Sequence, residues 1–164
     1  MHRELENNCP TLLQSCIDRV ARYIESYPKD DIETLPAFIK DDLLSAITRS
    51  NCINVIDLNY LPLLFHKRTL IVNLKRLHKE NVPKITDPII MQIANCSELR
   101  ELHFPPGVKC SRKVLLTLFG CVPKLEKLCM TCCSAVNEEV EEQLYMNCPK
   151  LTYFNKDPSV FDLL

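Results

Sequence analysis

The chain has 164 residues, of which 46% are apolar and 25% charged, with a formal net charge of −1. That length fits one compact domain or a small head on a short repeat array. The even charge balance, with no basic block, gives no reason to expect nucleic acid or a membrane surface, and no apolar run reaches membrane-spanning length.

Met1 to Glu6 does not read as a signal peptide, so the ten cysteines are expected to be reduced thiols of a cytoplasmic or nuclear protein. Most should be buried structural groups, the usual place of free cysteine. The two glycines, Gly107 and Gly120, stand apart, so no phosphate-cradling loop is present.

After a polar start, Thr11 followed by Gln14 reads as a capping box. The helix it opens is expected to run to Tyr27, where Pro28 stops it. Leu12, Leu13, Cys16, Ile17, Val20 and Ile24 form an apolar stripe wider than one packed layer needs. Leu13, Ile17 and Ile24 are enough to hold the helix, leaving Leu12, Cys16 and Val20 as surplus. Lys29 to Asp31 reads as a charged turn, and Pro36 opens a second helix with Phe38, Ile39, Leu43, Leu44 and Ile47 as its apolar positions. Residues 53–58 alternate like a strand, and Pro62 favours a short helical turn over 61–66.

From Leu74 the chain repeats. With Leu74, Leu99 and Leu125 as equivalents, Leu77, Leu102 and Leu128 follow three residues on, and the period is 25 and then 26 residues. A fourth start fits at Leu151. A Leu-x-x-Leu strand, a loop and a helical segment at this period is the leucine-rich-repeat pattern. Helix starts are expected at Thr86, Ser111 and Asn137. Val160, Phe161, Leu163 and Leu164 are expected to cover the last open edge.

This register predicts a surface. One column of the sheet should read Arg76, Glu101, Lys127, Tyr153, and its neighbour His78, His103, Cys129, Asn155. Its function classes are a face that binds a protein substrate or a plain solvated sheet. His78, His103 and Cys129 are of zinc-ligating type, but a strand column sets side chains side by side rather than around a tetrahedron, so no metal is assigned. No cofactor is implied either. No nucleophile elbow, paired-histidine helix or glycine-rich loop points to an enzyme.

Asn95-Cys96-Ser97-Glu98-Leu99, Cys121-Val122-Pro123-Lys124-Leu125 and Asn147-Cys148-Pro149-Lys150-Leu151 resemble the cysteine-containing leucine-rich repeats common in substrate receptors of ubiquitin ligases. Thr11, Leu12, Cys16 and Val20 resemble an elongin C-binding box. Leu35, Pro36, Ile39 and Leu43 resemble the cullin-2 box that follows it in von Hippel-Lindau-type receptors. The layout is similar to the zyg and leucine-rich-repeat cullin-2 receptors and to the short antagonist-of-mitotic-exit family.

The resemblance implies an α/β protein: a two-helix N-terminal box over residues 1–51 and a short leucine-rich-repeat solenoid over 52–164. It implies elongin C (with elongin B) and cullin-2 as partners, an unidentified protein substrate on the repeat face, and no chemistry of its own. Two alternatives stay open. One is a repeat interaction module with no ligase link. The other is an F-box adaptor read from Leu35-Pro36, which would bind a Skp-type partner.

Overall fold

A computed structural model describes residues 11–49, 57–77 and 85–157. The N-terminal part is helical: α1 (Leu12–Arg22), α2 (Lys29–Glu33), α3 (Ala37–Arg49) and the short α4 (Leu61–Leu64). After these come β1 (Ile71–Asn73), α5 (Asp87–Ile93), β2 (Glu101–His103), α6 (Arg112–Cys121), β3 (Lys127–Cys129), α7 (Glu138–Asn147) and β4 (Tyr153–Asn155). The four strands pair in chain order as one parallel sheet. Parallel neighbours require a crossover, and each crossover here carries a helix. The fold is α/β.

Thr11 caps α1, its Oγ1 accepting the Gln14 N–H at 3.2 Å. Only this half of the expected box forms. The Gln14 amide turns forward and donates to Asp18 Oδ1 at 2.9 Å, an i,i+4 pair that competes with the reach back to the cap. The α-helix stops at Arg22 and a 3₁₀ turn over Ile24–Ser26 completes the run to Pro28. The expected charged turn is instead α2, whose Asp30 and Asp31 lie in the first turn, where the helix dipole favours carboxylates. Of the strand expected over 53–58, residues 53–56 lie outside the described residues. Leu58 begins a 3₁₀ turn (Leu58–Tyr60) capped by Asp57, whose carboxylate accepts the Asn59 N–H at 2.9 Å.

The strand register departs from the expected one in the first unit. Ile71, Glu101, Lys127 and Tyr153 stand side by side, so the first interval is 30 residues and the next two are 26. Thr69, not Leu74, holds the place of Leu99, and it is fully buried. A threonine in that slot hides the first Leu-x-x-Leu, while Leu74-x-x-Leu77 supplies a false one. The helix starts keep the expected spacing, with Thr86, Ser111 and Asn137 at the caps. The extra residues therefore lie between β1 and α5: 13 positions separate Asn73 from Thr86, against 8 in each of the next two units.

Val72, Leu102 and Leu128 point inward from successive strands and are fully buried, as are Leu74, Phe104 and Met130 just beyond them. One apolar core runs from Ile17 in α1 to Cys148 after α7. The expected boundary near residue 51 falls outside the described residues, but the helices before it and the units after it share this core. Across the join, the Tyr60 hydroxyl donates to the Tyr27 carbonyl at 3.2 Å, and Glu25 accepts the Asp57 N–H. The expected C-terminal cover, Val160 to Leu164, lies outside the described residues.

Leu128→Ala should cost about 2–5 kcal/mol in urea unfolding, because it opens a cavity under the middle of the sheet. Asn137→Ala should cost only about 1 kcal/mol, the loss of the side-chain cap on the Val140 N–H at 3.0 Å.

Candidate functional site

Two surfaces stand out, one on α1 and one between α3 and the sheet. On α1, Ile17 and Ala21 are buried, with Ile24 just beyond them, and they seat the helix against α3. Ala21 is fully covered. The other side of α1 is open: Leu12 is 82% exposed and Leu13 54% exposed, and Cys16 is exposed too. Val20 is half-buried at the margin, and Thr11 is exposed at the cap. Contrary to the expectation from the sequence, Leu13 does not hold the helix; it widens the open stripe.

Of the second box, Pro36 is exposed, Leu35 and Ile39 are half-buried against the core, and Leu43 is 1% exposed. Leu43 thus packs inside the molecule. Phe38, assigned to the core stripe in the sequence, is 62% exposed. At 3.6 residues per turn it stands about 140° around the helix from Leu43. That angle was readable from the chain and separates Phe38 from the buried positions.

Phe38 faces a groove of about 1090 Å³ between α3 and the open face of the sheet. Ala37, Asp41, Leu44, Ser45 and Thr48 continue the α3 wall, and Ile71, Asn73, His103, Cys129 and Tyr153 form the sheet side. Arg68, Lys75 and Arg76 stand at the β1 end. The expected columns are corrected accordingly. Arg76 is not beside Glu101; Ile71 takes that place, and Arg76 follows the strand. His78 lies outside the described residues, and Asn73 holds the place beside His103 that it was expected to fill. Glu101, Lys127, Tyr153, His103, Cys129 and Asn155 keep the expected register, but Cys129 and Asn155 are buried rather than open on the face.

Two polar contacts fix the groove. His66 reaches from the loop before β1 to Asp41 on α3, Nε2 to Oδ1 at 3.0 Å. Its Nδ1 accepts the Arg68 N–H at 3.3 Å, which puts the ring hydrogen on Nε2, the donor to Asp41. On the sheet, Lys127 Nζ donates to Glu101 Oε1 at 2.8 Å, and His103 Nε2 lies 3.5 Å from the other carboxylate oxygen. The Lys127 hydrogen bond outweighs desolvation and holds the Glu101 carboxyl below its ordinary range. Burial pushes His103 below the ordinary imidazole value, against the opposing pull of Glu101. Asp41, the acid that lines the groove among the described residues, and Glu101, which neighbours the lining His103, are thus already engaged.

The thiols divide by place. Cys96 and Cys148 are buried at equivalent positions, and burial pushes each thiol up to about 11, away from the thiolate form. Cys148 donates to the Val122 and Phe119 carbonyls at 3.6 and 3.7 Å, tying its unit to the one before. Cys110 and Cys133 approach to 3.6 Å, Sγ to Sγ. The contact favours Cys133 as the more acidic partner, since it also accepts from the Ala135 and Val136 N–H groups. Cys16, Cys121 and Cys132 are exposed, so burial accounts for only part of the cysteine content. Among the described residues, no group of three histidine, cysteine or acidic side chains is placed to hold a metal. No described helix is long and apolar enough to cross a membrane.

No protein-family model and no curated protein matches the chain.

Because His103 is depressed in the folded chain, the unfolded chain binds its proton more readily. Its contribution to stability is full above the ordinary value of 6.5 and is lost as pH falls from there toward the folded value. NMR titration of the imidazole should place His103 below 6.5, and lower still in Glu101→Gln, which removes the carboxylate that raises it. An unchanged midpoint in that variant would refute the contact.

Proposed function

We propose that the chain is the substrate-recognition subunit of a cullin-2-type ubiquitin ligase, built as an N-terminal helical box, α1 to α3, on a short leucine-rich-repeat solenoid and working in the cytoplasm or nucleus. Elongin C, with elongin B, docks on α1 through Leu12, Cys16 and Val20, with Leu13 adding to the contact and Thr11 capping the helix. Cullin-2 meets Leu35, Pro36 and Ile39, and Leu43 fixes the helix that presents them. The open face of the sheet holds a target protein. The chain does no chemistry; it raises the effective concentration of the target near the ubiquitin donor.

What supports this reading is Leu12 at 82% exposure on a helix already seated by Ile17, Ala21 and Ile24. A plain repeat module would have packed Leu12 and Cys16 against its own chain. Fully burying a leucine is worth about 1.5–3 kcal/mol, which gives one side chain ample weight in docking. The solenoid reading draws on the four parallel strands in chain order and on the buried cysteines at the unit joins.

Immobilised elongin B/C should retain the wild-type chain. Leu12→Ser with Cys16→Phe should lower retention by at least about tenfold, the factor that 1.4 kcal/mol gives. If the wild type is not retained, the proposal fails; retention on a Skp-type adaptor instead would favour the F-box alternative.

A further inference from the structure

The groove between α3 and the sheet has a chemical bias that the docking reading does not use. Its apolar part lies at one end, where Phe38 is 62%, Ile71 53% and Leu70 47% exposed. An aromatic ring and two aliphatic side chains held open to water at one site favour a covering apolar group. Around that end stand the cations. Arg68 and Arg76 are exposed, and among the described residues neither guanidinium has a carboxylate partner. Lys75 lies close enough to bear on both His103 and Cys129, and so projects over the sheet.

The described acids near the groove give little counterweight. Asp41, the acid lining the groove among the described residues, accepts from His66, and Glu101, next to the lining His103, is held by Lys127. Burial pushes His103 toward its neutral form, against the pull of Glu101. What faces an incoming ligand is an apolar patch with guanidinium groups beside it. The floor crosses four strands, three spacings of about 4.8 Å, which an extended chain of about four residues spans at about 3.3 Å each.

We propose that this groove binds an acidic peptide segment in extended form, with an apolar side chain on Phe38 and Ile71 and flanking carboxylates on Arg68 and Arg76. This rests on the reading of the sheet face as the target-binding surface and names the class of target. Arginine suits the task, since its planar fork pairs with a carboxylate through two hydrogen bonds.

The test uses the full chain and three pools of fluorescein-labelled nonapeptides with a central Phe. Their flanks are acidic (Asp/Glu), neutral (Gln/Ser) or basic (Lys/Arg), and anisotropy reads binding at low salt. The acidic pool should bind at least about tenfold more tightly than the basic pool, with the gap narrowing as salt is raised. Arg68→Glu with Arg76→Glu should abolish the preference, and Phe38→Ala should weaken the acidic pool without reversing the order. Should the double reversal disturb the fold by circular dichroism, Arg68→Gln with Arg76→Gln serves in its place. Equal binding of the three pools, a preference unmoved by the arginine changes, or tighter binding of oligothymidylate than of the acidic pool would each overturn the proposal.

Elongin B/C retention is read on the same proteins. No acidic preference with elongin retained sinks this inference and leaves the ligase reading intact. An acidic preference without elongin supports the groove and sinks the ligase reading.

Discussion

The open face of this protein depends on one constraint, the parallel ladder. Strands in adjacent units stand side by side, so the register alone decides which residue meets which. Val72, Leu102 and Leu128 must all point one way, and they fill the core. Their flanking residues must then point the other way and meet at about 4.8 Å, where like charges would repel. Glu101 beside Lys127 satisfies this on the strands, and Glu98–Lys124 at 2.6 Å and Arg100–Glu126 at 3.3 Å repeat it just before them. Such exposed pairs contribute little stability singly. Their effect is on the surface: acids are consumed one unit at a time, and the cations outside the ladder are left to set the sign.

Those cations lie at the β1 end because the first unit is built differently. Its strand is flanked on one side by α3 rather than by another strand, and its following loop is longer than the others. The α3 wall turns an open sheet into a groove, and the His66–Asp41 contact ties the wall to the sheet edge. The cysteines work at the other end of each unit. A thiol at Cys148 satisfies carbonyls of the preceding unit, whereas Val122, in the equivalent place, offers only packing.

Much of this was legible in the chain. The helix caps at Ser111 and Asn137, the inward leucines of the second and third units, and the pairing of Glu101 with Lys127 all follow from a strict local pattern. The first unit was not legible, for a physical reason. Thr69 occupies a leucine slot because it can be buried with its hydroxyl engaged, accepting the His66 N–H at 3.2 Å. Leu74 and Leu77 are also buried, so hydrophobicity could not tell the true strand from the turn after it. Arg76 was misplaced by that slip. The groove was illegible for another reason: it joins α3 to β1 across contacts, such as His66 to Asp41, that span 25 positions. Leu12 and Cys16 on α1 were readable as surplus because helical spacing is local, though Leu13 was assigned to the wrong side.

Phe38 and Ile39 are consecutive residues of α3, yet one opens on the groove and the other leans on the core beside Pro36. A single helix therefore separates the two sides of the molecule, with neither linker nor hinge within it. Whatever grips the outer side of α3 also sets the compass bearing of the groove. An attachment there would aim the sheet at one fixed direction in space, and reach would come from the shape of the bound partner rather than from bending of this chain.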